Sequence, residues 1–456
     1  MGRRFVINAV LACLTLSATA RTRPHYGGTL RVEIEGDAWQ MPDGLARKLV
    51  LDTLTTEAEA GGAQPALAVR WESQNADHRW EFWIRPGVRY QDGEALTSDT
   101  VAAALDAICA RPPSGIGACP WRMVHGAGPS VVFTSDSPLP DLPELLAQTA
   151  FAIGKKDATG AVIGTGPFRV TGYTNGALML AANDDCWSGR PFADGVELRT
   201  RRAIRDQWLD LSVGKTDIVE VPPELLRQAQ QQHLNVVESS PVDLLALTIA
   251  SEGAFASREM RQAVALAVDR AALYSVIFQK QGEVSASLLP QELSGYAFLF
   301  STDRDVERAR ALRGGATPAG LMLEMDDASA AEPGATGQLV AERLALNLHE
   351  AGFNAQVAPV NSRPTPALML RKVHLEATAP RAALDEMLVR FGQNGSVNGS
   401  GAEALWQEER GVLDDETVVP LLWLPHAWAV GERVRDLRLL SDGTPDLSDA
   451  SLEGLK

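Results

Sequence analysis

The side chains with chemistry to offer are four cysteines, seven histidines and many carboxylates, and their spacing decides what that chemistry is. Cys109 and Cys119 bracket ARPPSGIGA, a Pro/Gly-rich stretch that can bring its ends together. In an oxidising compartment such a pair reads as a disulfide. Two thiols are too few for a zinc site. Cys186 is left over and reads as a buried thiol. The histidines, His25, His78, His125, His233, His349, His374 and His426, are scattered, with no pair at metal-ligand spacing. No H-E-x-x-H and no G-x-S-x-G occurs. Gly214-Lys215-Thr216 looks like the end of a phosphate loop, but Leu209 stands where its first glycine belongs. Gly164-Thr165-Gly166 runs into Pro167, which fixes φ and ends a turn, so it is no dinucleotide fingerprint. Nothing singles out a carboxylate pair for acid–base work. These residues predict a protein that is not an enzyme, with no catalytic residue, no cofactor and no metal.

The elements that must position these groups follow from length and pattern. The chain has 456 residues, with 42 Lys+Arg against 58 Asp+Glu and a net charge of −16. That balance opposes binding to a nucleic-acid backbone or to anionic lipid. A hydrophobic fraction of 45% and a charged fraction of 22% are ordinary for globular chains. The length exceeds a usual domain of about 100–200 residues, so two or more are expected. Residues 1–20 carry Arg3 and Arg4, an apolar stretch, and Ala18-Thr19-Ala20. This reads as a secretory signal peptide. Val10-Leu11-Ala12-Cys13 is also an imperfect lipoprotein box, in which Cys13 would carry the lipid.

Alternation predicts strands over 26–35, 80–89, 177–182, 243–249 and from Phe353 onward. Over 418–430, VVPLLWLPHAWAV, it predicts a strand pair broken by Pro425. Helices are predicted over 97–110, capped by Thr97 or Ser98, over 257–278, capped by Ser257, and over 338–350, ended by Gly352. A helix, a Gly cap and a strand in sequence make an α/β unit. Residues 392–401, GQNGSVNGSG, read as a flexible loop.

Residues 67–105, LAVRWESQNADHRWEFWIRPGVRYQDGEALTSDTVAAAL, closely resemble the signature segment of the family 5 extracellular solute-binding proteins, receptors of ABC importers for peptides and nickel chelates. Leu67-Ala68, Trp71, Trp80, Phe82, Ile84-Arg85-Pro86-Gly87-Val88 and Asp92-Gly93 each match an element of the pattern. Gly164-Thr165-Gly166-Pro167-Phe168, NDDCWSGRPFADGVELR at 183–199 and RQAVALAVDRAAL at 261–273 resemble later family segments, in family order. The aromatic residues of the signature read as core, so it identifies the fold and not the binding site.

The resemblance implies an α/β, two-lobed fold of the periplasmic-binding-protein type II kind, with a hinge and an inserted subdomain. Mapped here, lobe I comprises 21–36, 164–241 and 420–456, its insert 37–163, and lobe II 242–419. The chain would cross between lobes near Pro241 and near Pro420. The implied function is capture of a peptide or other small solute between the lobes, and its delivery to permease subunits by a periplasmic monomer. A sensory or scaffolding receptor derived from the family is the alternative. Family position places Trp39 and Gln40 at the cleft edge, and Leu289 and Tyr296 on a Pro-containing cleft segment. The Arg and Asp that clamp peptide termini in the family have no visible counterpart, since 326–330 reads DDASA and 367–379 contains neither Ala-Asp nor Trp.

Overall fold

The computed structural model describes residues 25–35, 44–58, 61–112, 118–157, 159–200, 202–297, 299–315, 321–325, 336–358, 367–393 and 401–453. Strand β1 (Thr29–Ile34) enters a large sheet with Leu30 and Val32 fully buried. A small antiparallel sheet follows: β2 (Ala68–Gln74), β3 (Arg79–Ile84), β4 (Met123–Ala127) and β5 (Ser130–Thr134), in the order β2-β3-β5-β4. Helix α1 (Ser98–Ala110) packs on it. The Thr97 hydroxyl accepts the Thr100 N–H at 3.2 Å, and the Thr100 hydroxyl accepts the Thr97 N–H at 3.0 Å. Two amides that the helix leaves unpaired are thereby satisfied.

The signature aromatics fill the core of this unit. Phe82 meets Phe133 edge-on at 5.4 Å, Trp121 meets Phe133 at 5.2 Å, and the half-buried Trp71 stacks on Phe82 at 5.9 Å. Burying side chains of this size contributes roughly 1.5–3 kcal/mol each. Cys109 near the end of α1 is bonded to Cys119, with Cα atoms 5.5 Å apart.

The large sheet continues through β6 (Phe168–Thr174), β7 (Ala177–Ala182), β8 (Gly195–Thr200), β9 (Ile218–Glu220), β10 (Val236–Ile249), β11 (Leu321–Met325), β12 (Ala355–Val357), β13 (Leu368–His374) and β14 (Val418–Val430). Their order is β6-β7-β8-β1-β9-β14-β10-β13-β11-β12. Helices α2 (Arg258–Ala267) and α3 (Thr336–Glu350) cover one face of the β10–β12 half, and α4 (Pro380–Arg390) and α5 (Ala402–Leu413) the other.

Two predicted elements differ from what forms. The stretch 418–430 is one strand and not a pair, because β10 absorbs the proline. Pro425 faces Pro241, with register shifts on either side of Pro241. Neither residue has an N–H to leave unpaired, so the ladder is interrupted without an orphaned donor. The predicted helix over 257–278 stops at Ala267. Val268 is extended, and Asp269 starts a new turn by accepting the Ala272 N–H at 2.9 Å. The Asp269 N–H goes instead to the Asn347 side chain at 3.1 Å. An apolar stripe cannot reveal this break, because the capping aspartate lies inside it.

Candidate functional site

On the face covered by α2 and α3, β10 points Ile249, Leu247 and Leu245 into the core, and β13 adds Leu368 and Leu370. Side chains on one face recur every second residue. The next positions of the same stripes are Asp243 on β10, and Lys372 and His374 on β13. The dry core therefore gives way to charge where β10 and β14 pass the proline pair. His426, immediately after Pro425, joins the group from β14.

Asp243 is the centre, only 2% exposed. One carboxylate oxygen lies 2.8 Å from Nδ1 of His374, and the other 3.0 Å from Nε2 of His426. The two imidazoles stack, with centroids 4.9 Å apart and planes 21° from parallel. Lys372 places its ammonium 3.7 Å from Asp243. Burial alone would raise the Asp243 carboxyl, but His426, Lys372 and the hydrogen bonds from both imidazoles hold it well below its ordinary value. Burial likewise works against a charged His426, yet Asp243 and then Glu220 outweigh it, and the imidazole is raised above 6.5. A C-terminal turn closes over His426: a Cβ on Gly443, at φ +79°, would lie 2.8 Å from the His426 Cβ.

Donor atoms of Asp243, His374 and His426 all lie within 4.8 Å of one another. Each nitrogen addresses its own carboxylate oxygen. The trio is a hydrogen-bonded ion cluster. Sequence spacing missed it because His374 and His426 are far apart in the chain and meet only through strand pairing.

Three carboxylates from the other half of the sheet face this floor. Glu35 follows β1, Glu220 ends β9, and Glu224 lies just beyond. All three act on Lys372, whose ammonium they and Asp243 favour against the opposing effect of burial. Glu220 also accepts the Glu35 N–H at 2.8 Å. The Glu224 carboxylate accepts the Thr336 hydroxyl at the start of α3, joining the two halves. Two more links close the far side. Glu376 accepts the Thr149 N–H at 2.7 Å, and Glu57 accepts the Thr378 N–H at 2.8 Å.

Trp39 and Gln40 lie outside the described residues. Leu289 is 0% exposed, in the core beneath α4 and α5 with Trp423. Tyr296 is half-buried beside the same core, edge-on to Phe300 at 6.4 Å, with its hydroxyl against Glu409. Neither meets the Asp243 cluster. Among the described residues no helix is long and apolar enough to cross a membrane.

Comparison with known proteins places this geometry. Protein XP55 of Streptomyces lividans is 27% identical over 273 residues, 55% of this chain and 48% of that protein. The chain spans about half or less of the length of the first curated relatives it matches. Among solved structures, AgaA from A. tumefacien R10 in complex with agropinic acid is similar with a TM-score of 0.79 at 18% identity, covering 94% of this chain and 99% of that one. DppA from Helicobacter pylori in complex with the peptide STSA gives 0.78 at 15%, with the same coverage. These likenesses establish the two-lobed binding-protein fold. The model of the bacterial extracellular solute-binding proteins, family 5, matches residues 62–383, more than two thirds of the sequence, and the chain belongs to that family.

Proposed function

We propose that the chain is the extracytoplasmic receptor of an ABC importer, which captures a peptide or another small solute between two lobes and delivers it to the membrane permease. In this reading 21–36, 164–241 and 420–456 form lobe I, 37–163 its inserted subdomain, and 242–419 lobe II. Residues 1–20 direct export to the periplasm, or Cys13 anchors the chain by a lipid. The receptor works as a monomer and carries out no reaction on its cargo.

One observation carries the reading. A ring of charge, with Asp243, Lys372, His374 and His426 on the floor and Glu35, Glu220 and Glu224 opposite, sits where two long strands join the two halves of the sheet. Buried charges are costly unless paired, and these pair with one another across the join of the two halves, a polar setting in which a small solute can be held. The agropinic acid and the peptide named with the two similar structures are small polar solutes of that kind. The test is to purify the protein from its native host, denature it, and identify the released small molecules by mass spectrometry. A solute near one equivalent is expected. Release of nothing, together with no rise in melting temperature across a peptide library, would overturn the reading.

A further inference from the structure

The two ends of the His426–Asp243 hydrogen bond stand on opposite sides of the proline pair. β10 runs from Val236, which pairs with Ala429, to Thr248, which pairs with Val418. Asp243 therefore lies past Pro241, towards the α2 and α3 half. β14 runs the other way, and His426 lies past Pro425, towards β9, whose Glu220 pairs with Trp428. The bond spans the crossing at the point where the ladder between β10 and β14 loses its register. Any rotation of one half of the sheet against the other about this crossing changes the His426–Asp243 distance directly.

We propose that His426 and Asp243 form a proton-gated catch on the hinge: a charged imidazole locks the inter-lobe angle seen here, and loss of its proton releases it. The proposal rests on the receptor reading for the meaning of lobe movement. The groups facing His426 set the direction. From β10 comes Asp243, from β13 Lys372 and His374, and from β9 Glu220. Asp442, on the turn packed over His426, is engaged by Lys48 and Thr444. Asp243 and Glu220 favour the imidazolium, while Lys372 opposes it. With the proton on, the pair is an ion pair across the crossing. With it off, a neutral imidazole N–H can still donate to the ionised carboxylate, but the charge-to-charge attraction across the crossing is lost. The second imidazole keeps Asp243 oriented from β13 in either state, so the change is confined to the bond that spans the hinge. Sliding or rotation at a few strand-terminal positions is how lobes of this kind move, and a histidine is the side chain whose charge changes near neutral pH.

The experiment uses ligand-free protein, so its outcome is independent of whether a cargo is ever found. The inter-lobe distance is followed by fluorescence transfer between one dye on each half, from about pH 5.5 to about pH 9, which spans the imidazole range. The His426 ring is titrated by NMR in selectively labelled wild type. The distance is expected to change with a midpoint above 6.5, coincident with the His426 titration. His426→Gln keeps a neutral donor for Asp243 and is expected to fold, to hold one distance throughout, and to lose the midpoint. His374→Gln is expected to retain it. A wild-type distance that does not vary with pH overturns the proposal, as does the same midpoint in His426→Gln. A His426 ring that titrates at or below 6.5 in wild type overturns it without any variant.

Discussion

Pro241 and Pro425 face each other as partners in the two longest strands of the sheet. Proline donates no backbone hydrogen bond and is normally confined to edges and bulges. Two prolines at one central position make a built-in interruption, with strand pairing on either side and no N–H at the proline positions to leave unpaired. Stiffness follows the ladder, so bending is easiest here. The charged cluster sits on the same spot, which couples the mechanics of the crossing to electrostatics. Pro420, the other crossing expected from the sequence, pairs with Ala246 inside the α2 and α3 half, and Arg270 donates to its carbonyl at 2.8 Å.

Asp243→Ala leaves two imidazoles and the Lys372 ammonium without their shared carboxylate. Breaking a buried pair by removing one partner costs about 3–5 kcal/mol. Urea denaturation is expected to show a loss of that order, and a loss under about 1 kcal/mol would mean that the cluster is solvated.

The pH dependence of wild-type stability has a definite sign. Asp243 is held below its ordinary 3.8, so its contribution is present above that pH and is lost as pH falls through the folded value. His426 is raised above 6.5, so its contribution is complete below 6.5 and is lost as pH rises through the folded value. Stability is expected to be greatest between these limits, and its alkaline decline to be absent in His426→Gln. Equal alkaline slopes in the two proteins would assign the decline to other groups.

The Cys109–Cys119 bond closes a short loop with a sequence separation of 10. Cross-linking the unfolded chain over such a loop stabilises by roughly 2–3 kcal/mol. The Cys109→Ser, Cys119→Ser variant is expected to melt several degrees below oxidised wild type, and reductant to bring wild type down to it. Identical melting curves would leave the bridge without effect on stability.

The fold was legible in the sequence where local signals agree with tertiary packing. Thr97 and Asp99 announce α1, and the alternation of Leu30, Val32 and Ile34 announces β1. The signature at 67–105 named the family through residues that turned out to be scaffold: Phe82 is fully buried and Trp80 nearly so. The cluster at the hinge was illegible for the opposite reason. Asp243, His374 and His426 come from three strands, and no spacing rule links them. One signal was available: the apolar stripe of LMLRKVHLE at 368–376 turns charged at Lys372 and His374 while the strand period continues. Leu289, set on a cleft segment by family position, has its side chain in the core beneath α4 and α5, a burial that family position alone does not convey.

Glu409 ties that segment down. It is 0% exposed, accepts the Ser287 hydroxyl at 2.8 Å and the Leu288 N–H, and faces the Tyr296 hydroxyl. Burial pushes its carboxyl up to about 6. The folded state therefore favours the proton, a contribution complete below 4.5 and lost as pH rises through about 6. Glu409→Gln keeps an acceptor and removes the charge, so it is expected to match or exceed wild-type stability above pH 6. Glu409→Ala leaves the Ser287 hydroxyl and the buried Leu288 N–H without their acceptor and is expected to cost about 2 kcal/mol or more. A Gln variant as damaged as the Ala variant would show that the ionised carboxylate itself holds the segment.

The last prediction concerns cargo. A free dipeptide brings a carboxylate and an ammonium close together, and both would have to be buried in the cleft. Lys372 and protonated His426 are the cations of the Asp243 cluster, and Lys372 is already shared among Asp243, Glu35, Glu220 and Glu224. A ligand carboxylate entering that ring meets four carboxyl groups that already share Lys372 and His426, and a buried charge without its own partner costs several kcal/mol. Each factor of ten in affinity is only about 1.4 kcal/mol. Dipeptides are therefore expected to bind at least about a hundredfold more weakly than longer peptides whose termini reach solvent, because backbone groups can read an extended peptide without any side-chain clamp. Calorimetric titration of a dipeptide set and a longer-peptide set, on wild type and on Lys372→Met, checks this. Lys372→Met is expected to leave longer-peptide affinity within about tenfold of wild type. Micromolar dipeptide binding that disappears in Lys372→Met would sink the prediction. It would mean that Lys372 leaves its carboxylates when cargo arrives and serves as the clamp that the family motif no longer supplies.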